Sequence, residues 1–246
     1  NFNLKEFNLN SKEEKEINEL IKILPQSFST KDIWKLQDYF WDLYKCDNRI
    51  FNKIKYNSFY SHPVWKLTSL FAEKDKETIT HRSEIAKYIK RFDKAKVLDF
   101  GGGFGGLARL IAKENKEKHI DIYEKYPNKT ALKMSKSFEN VNYISDIDNE
   151  YYEIVISTDV IEHVHDPISF LTQIKNHIKP NGYLILAACF MPVCKCHLPK
   201  TFHLRYTLRL LCELLGFRYI EKCGNSHAHV FQKKRYMVDN NVIFIF

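Results

Sequence analysis

The sequence predicts an α/β protein with a doubly wound, mostly parallel sheet behind a helical N-terminal region. Three observations predict it. From Lys96 onward, short strand-like runs alternate with helical stretches, which demands right-handed crossovers and helices on both sheet faces. The first of these strands runs straight into a glycine-rich loop and then a helix. Before Lys96 no convincing strand appears, while apolar residues recur at helical spacing.

Taken in order, residues 11–23, SKEEKEINELIKI, open with Ser11 followed three residues later by Glu14, a helix-start signal. Ile17, Leu20, Ile21 and Leu24 then share one helical face. Ser29 or Thr30 starts a second helix expected to reach about Tyr44, and residues 80–92, THRSEIAKYIKRF, form another. The expected strands are KVLDF, HIDIYE, VNYIS, YEIVIS and YLILAA, with helices LARLIAKENK, KTALKMSKSF and PISFLTQIKNHI between them. After helix TLRLLCELLGF come FRYIEKC and NVIFIF, with AHVFQKK between, read as an antiparallel pair at one sheet edge. The expected division is a helical cap or lid over 1–95 and a sheet domain over 96–246.

Composition narrows the function classes. Hydrophobic content is 44%, as in folded globular chains. Net charge is +8, from 38 Lys plus Arg against 30 Asp plus Glu, but the lysines are scattered rather than gathered into one stripe. A solvated basic surface is therefore expected, nucleic acid is not the expected partner, and the same field attracts an anionic small molecule. No uncharged apolar run reaches the roughly 18 residues of a membrane helix. The start, NFNLKEFNLN, lacks the charged-then-apolar pattern of a secretion signal, so a cytoplasmic protein is expected. The six cysteines are accordingly read as free thiols. Cys194, Cys196 and His197 are zinc-ligand types without a second pair at finger-like spacing, and Cys189, Cys194 and Cys196 are types that hold trivalent arsenic; free loop cysteines are the reading adopted.

The loop itself is Asp99-Phe100-Gly101-Gly102-Gly103-Phe104-Gly105-Gly106. Gly101, Gly103 and Gly106 fit a dinucleotide fingerprint, with Glu124 at the end of the second strand as its acid. Asp99 argues against that ligand, because a carboxylate at the lip repels a pyrophosphate and attracts an ammonium. Glu124 can accept from both hydroxyls of a ribose. Asp146, just past the third strand, can accept from the exocyclic amine of adenine, with Ile147 against the ring. An ammonium, a ribose and an adenine together describe S-adenosylmethionine.

With these residues the chain resembles the class I S-adenosylmethionine-dependent methyltransferases, whose first motif is Asp/Glu-x-Gly-x-Gly-x-Gly. Asp99, Gly101, Gly103 and Gly105 match it, as do Glu124, Asp146, the segment around TDVIEH and KPNGYLIL at 179–186. The resemblance covers about residues 95–223. It implies a Rossmann-like, seven-stranded sheet with the last strand antiparallel, and a helical N-terminal region that serves as a lid or as a homodimer surface.

TDVIEHVHDP, residues 158–167, begins at the carboxyl end of the fourth strand, where ligands of open α/β sheets sit. If residues 159–163 form a helical turn, Asp159, Glu162 and His163 share one face. Asp166-Pro167 reads as a helix start. His163 or His165 is a candidate general base, with Asp159 beside it. The Acid-x-x-Glu-His pattern is similar to the metal-binding segment of ubiquinone-pathway and small-RNA ribose O-methyltransferases. That likeness implies a divalent cation, Mg or Mn, on Asp159, Glu162, His163 and a further histidine, His203 or His197. Asp159 departs from the Glu of some relatives, and many family members carry a similar segment without metal.

The segment after the fifth strand, residues 187–207, lines the substrate pocket in this family, making His197, His203, Arg205 and Tyr206 candidate acceptor contacts. Arg205, Lys195 and Lys200 suit a phosphate on the acceptor. The expected activity is O-methylation of a small polar acceptor. A sugar or nucleotide-linked sugar of surface-glycan biosynthesis is the first choice. An RNA methyltransferase and a non-catalytic S-adenosylmethionine-binding partner are the alternatives.

Overall fold

The computed structural model describes residues 2–235. Four helices come first: α1 (Ser11–Ile21), α2 (Thr30–Leu43), α3 (Lys53–Tyr60) and α4 (Pro63–Ala72). The α1 cap lies one residue earlier than the Ser11–Glu14 reading. Asn10 accepts from the amides of Lys12 and Glu13, each at 3.0 Å, and Glu13 reaches back to the Asn10 amide at 3.1 Å. At α2 the same reciprocal cap forms between Ser29 and Asp32. Helix α4 starts at Pro63, whose missing N–H costs nothing in the first turn, with His62 accepting from the Val64 amide at 3.1 Å. These four helices bury Ile17, Ile33, Trp41, Phe59, Leu67 and Leu70 in a core that Phe104, Ala131, Cys194, Cys196 and Leu198 of the sheet region complete.

Helix α5 (Lys76–Ile89) is different. Its Ile85, Ala86, Tyr88 and Ile89 belong to the core of the sheet, although α5 precedes the 95/96 boundary read from the sequence. The sheet then alternates as β1 (Lys96–Phe100), α6 (Gly106–Glu114), β2 (His119–Tyr123), α7 (Lys129–Ser135), β3 (Val141–Ile144), β4 (Tyr152–Thr158), α8 (Pro167–His177), β5 (Ile178–Ala187), α9 (Leu204–Leu214), β6 (Phe217–Lys222) and β7 (His229–Lys233). Strand order is β3-β2-β1-β4-β5-β7-β6, seven strands, with β7 antiparallel to both β5 and β6 and the other pairs parallel.

The two-residue period of the strands divides the core. Val97, Ile154, Ile156 and Ile185 face α5 and α6, while Leu98, Val155, Leu184 and Leu186 face α8 and α9. The partner of FRYIEK in the antiparallel pair is HVFQK, a segment the sequence reads as a connection. Its Gln232 and Lys233 break the apolar pattern, and β7 lies inside the sheet with Val230 and Phe231 both buried, so no alternation shows. NVIFIF lies outside the described residues. Strand order reverses between β1 and β4, opening a crevice at their carboxyl ends.

The helical cap is fastened over this crevice by α1. Glu13, 6% exposed, accepts from Thr130 Oγ1 of α7 at 2.6 Å and lies 3.3 Å from Lys66 Nζ of α4. Burial pushes its carboxyl up, but Thr130, Asn10 and Lys66 together hold it below 4.5. A depressed carboxylate stabilises the fold above its unfolded pKa, and that contribution vanishes as pH falls through the folded value. Glu13→Ala is expected to cost about 2–4 kcal/mol at neutral pH by leaving buried partners unsatisfied. Denaturant titrations of both proteins should show that gap shrinking as pH drops below 4.5.

Candidate active site

The cap and the carboxyl ends of β1, β2, β4 and β5 enclose a cleft of about 2520 Å³. The glycine loop forms its floor. Gly101 has φ +79°, and a Cβ there would stand 2.6 Å from Val160, so this glycine lets the loops after β1 and β4 pack together. At Gly106 a Cβ would meet the Glu73–Arg82 ion pair at 2.1–2.3 Å. The Gly103 amide donates to Glu124 Oε2 at 3.0 Å and the Tyr126 amide to Oε1 at 2.9 Å, fixing that carboxylate at the cleft while each oxygen keeps a free lone pair.

Asp99 is 1% exposed and its Oδ2 has no partner. Burial lifts its carboxyl to about 7; Arg82 opposes the rise and Glu124 adds to it. Arg82 had no signal in the sequence, where it is one polar residue of an ordinary helix. In the fold it stands beside Asp99, bonded to Glu73 at 2.9 Å, and Glu73 also takes Arg109 at 2.7 Å. Asp146 and Ile147 are placed differently. Asp146 is exposed and accepts from Ser145 Oγ at 2.8 Å, Ile147 packs toward the α8 side of the core, and neither lines the cleft.

The turn after β4 does not start at Asp159. That residue is left-handed, φ +54°, and only Ile161–His163 forms a short 3-10 turn. Asp159 is therefore not part of that turn. Its Oδ1 lies 3.0 Å from Nε2 of His227, in the β6–β7 connection, and the His227 ring packs edge-on against His81 at 4.6 Å. The hydrogen bond to Asp159 raises the His227 imidazole above its usual range. Asp166 caps α8 as expected, accepting from the Ser169 amide at 3.0 Å.

Glu162 is fully buried. Its Oε1 accepts from the Cys189 amide at 2.9 Å, Oε2 is unpartnered, and burial followed by Asp159 lifts the carboxyl to about 7. Burial and then His197 push His163 down to about 4. His163 Nδ1 pairs with the Cys196 carbonyl and His197 Nδ1 with the Met191 carbonyl, both at 2.9 Å, so each ring turns Nε2 inward. The ligating atoms of Glu162, His163 and His197 lie within 4.8 Å of one another. The histidine that joins the pair is thus His197. His203 sits exposed before α9, away from the cleft lining, and Asp159 is outside the group.

An aromatic wall closes the cap side. Tyr60 stacks toward Tyr126 with centroids 6.4 Å apart, and Trp65 meets His163 edge-on at 5.9 Å. His165 donates from Nε2 to Tyr56 Oη at 2.7 Å, and that hydroxyl donates to the Asp47 carbonyl at 2.8 Å. Tyr60 Oη and Trp65 Nε1 are buried without partners, like Asp99 Oδ2 and Glu162 Oε2. Arg205 and Tyr206 line the outer rim, where Tyr206 is 80% exposed. Cys194 Sγ and Cys196 Sγ lie 3.3 Å apart in the wall, both buried. Lys195 is held by Asp42 at 2.5 Å, and Lys200 does not line the cleft.

A glycine loop, an acid at its head and another at the end of β2, on a sheet of this order, define the S-adenosylmethionine-dependent methyltransferase fold. The chain belongs to the methyltransferase domain family, whose profile matches residues 71–238. It is 27% identical over 153 residues to a ubiquinone biosynthesis O-methyltransferase of Rickettsia conorii, covering 57% of this chain and 53% of that one. A protein of the same description from Leptothrix cholodnii is 24% identical over 182 residues, covering 70% and 72%. The chain thus spans about half the length of the Rickettsia relative. Among solved structures, the 1,6-didemethyltoxoflavin-N1-methyltransferase of Burkholderia thailandensis superposes with TM-score 0.54 at 10% identity, over 76% of this chain and 92% of that one. A SAM-dependent methyltransferase of Aquifex aeolicus gives 0.50 at 15%, over 64% and 93%.

The raised Asp99 value carries a stability consequence. Its folded pKa of about 7 exceeds 3.8, so ionising it works against the fold increasingly between those values and constantly above. Asp99→Asn is expected to stabilise the ligand-free protein at pH 8 by up to about 4 kcal/mol, raising its unfolding midpoint, and to change little at pH 4. Calorimetric melts at the two pH values check this.

Proposed function

We propose that the protein transfers a methyl group from S-adenosylmethionine to an oxygen of a small polar acceptor. The observation that carries this reading is a group of buried, unpartnered polar atoms around one cleft, four of which, Asp99 Oδ2, Glu162 Oε2, Tyr60 Oη and Trp65 Nε1, flank the glycine loop and the aromatic wall. Two acceptors and two donors facing one space call for a polar, hydrogen-bonding guest. Asp99 takes the ammonium of the methionine end and Arg82 its carboxylate, while Glu124 takes the ribose. The acceptor then lies between the aromatic wall and the segment after β5, with α1–α4 as its lid. The printed descriptions of the relatives, O-methyltransferases of ubiquinone biosynthesis, favour oxygen as the methylated atom. A sugar or nucleotide-linked sugar, phosphate included, is the acceptor we propose, because the wall mixes flat aromatic faces with polar edges and the chain is basic.

The acceptor hydroxyl must lose its proton as it attacks the methyl carbon and the C–S bond breaks toward sulfur. His163 suits this poorly, being pushed down to about 4, and the His165 Nε2 is taken by Tyr56. His227 is the better base. Asp159 holds its Nε2–H, leaves Nδ1 as the acceptor, and stabilises the imidazolium that forms. Glu162, His163 and His197 fit a divalent cation: a carboxylate and two imidazoles, each ring oriented by a backbone carbonyl. A cation bound there would polarise the acceptor hydroxyl and lower its pKa.

Asp159→Ala and His227→Ala are each expected to lower kcat at least about 100-fold while leaving S-adenosylmethionine affinity within about twofold. Because protonated imidazole cannot accept, kcat of the intact protein should fall as pH drops through the raised His227 value. The assay is mass gain of one methyl on a panel of sugar phosphates and sugar nucleotides, with and without chelator. Methylation only of neutral aromatic hydroxyls would remove the sugar, and full turnover in both variants would remove the base.

A further inference from the structure

Beyond β5 the cleft changes character. There the antiparallel edge of the sheet sets Lys222, last in β6, opposite His229, first in β7. Helix α9 lays Arg205 and Arg209 along the same rim, and all four side chains line the cleft. The Arg209 guanidinium rests on the Tyr219 ring, 3.6 Å from its centroid, which fixes the group while leaving its N–H edge unused. Tyr219 in turn lies 5.9 Å from the His229 ring, so the groups form one contiguous rim.

Some cations of this chain are matched by acids: Lys179 has Glu153, Lys195 has Asp42, Lys233 has Glu150, and in the cleft wall Arg82 and Arg109 share Glu73. Among the described residues, Arg205, Arg209 and Lys222 have no carboxylate within ion-pair distance. Asp159 is engaged by His227, and Glu221 is turned to Tyr88 and Arg91. Burial and then the charges of Lys222 and Arg209 push the His229 imidazole down, and its Nδ1 is buried without a partner. Three uncompensated cations and an unsatisfied ring nitrogen thus converge on a concave rim beside the Asp159–His227 pair.

We infer that this rim is an anion subsite that holds a phosphate or diphosphate of the acceptor, through Arg209 and Lys222 with Arg205 at its mouth. The inference rests on the proposed methyl transfer for its orientation: the hydroxyl to be methylated sits at His227 and the anionic end lies over β6 and β7. A guanidinium with a free edge binds phosphate oxygens in pairs, and a rim whose unpaired charges are all positive raises the local concentration of anions.

The test is calorimetry on the full chain saturated with S-adenosylhomocysteine, titrated with inorganic pyrophosphate, uridine diphosphate, uridine and malonate. Saturable uptake of pyrophosphate and uridine diphosphate is expected, with uridine and malonate at least tenfold weaker. Arg209→Gln with Lys222→Gln should weaken both phosphate ligands at least tenfold without changing S-adenosylhomocysteine affinity. No saturable phosphate binding, equal binding by the double variant, or malonate binding as tightly as pyrophosphate would each overturn the assignment. Failure of S-adenosylhomocysteine itself to bind would instead overturn the methyl-transfer reading, so the two outcomes are distinguishable.

Discussion

Asp99 is the constraint around which this protein is arranged. A carboxylate is buried at the end of β1, beneath a glycine loop, with one oxygen unpartnered and its proton affinity raised to about 7. Such a group costs stability and persists only where something else requires it. Its surroundings are consistent with a cationic guest. The loop keeps positive-φ glycines at 101, 103 and 105, so backbone can approach the guest closely. Glu124 braces the loop from the end of β2 by accepting from the Gly103 amide. Arg82 and Glu73 supply a compensating pair from the helices before β1.

The second half of the cleft is tied to the first through Glu162. Its side chain accepts from the Cys189 amide and its carbonyl from the Leu198 amide at 2.9 Å, while His163 bonds the Cys196 carbonyl. The turn after β4 and the segment after β5 are thereby one unit. The cap rests on that unit, since Cys194, Cys196 and Leu198 are part of its hydrophobic core. A change in how α1–α4 pack is therefore felt at Glu162, His163 and His197, and the reverse also holds.

How much of this was legible depended on the range of the interaction. The parallel strands announced themselves, because Val97 and Leu98, or Ile154 and Val155, are buried on opposite faces and read as short apolar runs. Local caps were legible too: Ser29 and Asp166 sit where side-chain chemistry placed them, and the α1 cap missed by one residue because Asn10 accepts as well as serine does. Helices α3 and α4 were missed because Pro63 interrupts a weakly periodic stretch that its own cap resolves. The site was half legible. Asp99, the glycines and Glu124 lie in sequence beside strand ends and could be placed. Arg82 and His227 reach the cleft only through tertiary packing, from α5 and from the β6–β7 connection. Asp159 looked like part of a helical turn until its left-handed backbone sent it to His227. The choice between His197 and His203 depended on a loop path that the five intervening residues leave open.

The central claim is that the acidic edge of the sheet receives a sulfonium nucleoside. Isothermal calorimetry of the folded protein with S-adenosylmethionine, beside NADH and FAD, tests it most directly. The account predicts saturable one-to-one uptake of S-adenosylmethionine that Glu124→Ala weakens at least tenfold, and no uptake of either dinucleotide. Absence of heat with S-adenosylmethionine, together with clear binding of NADH or FAD, would contradict it.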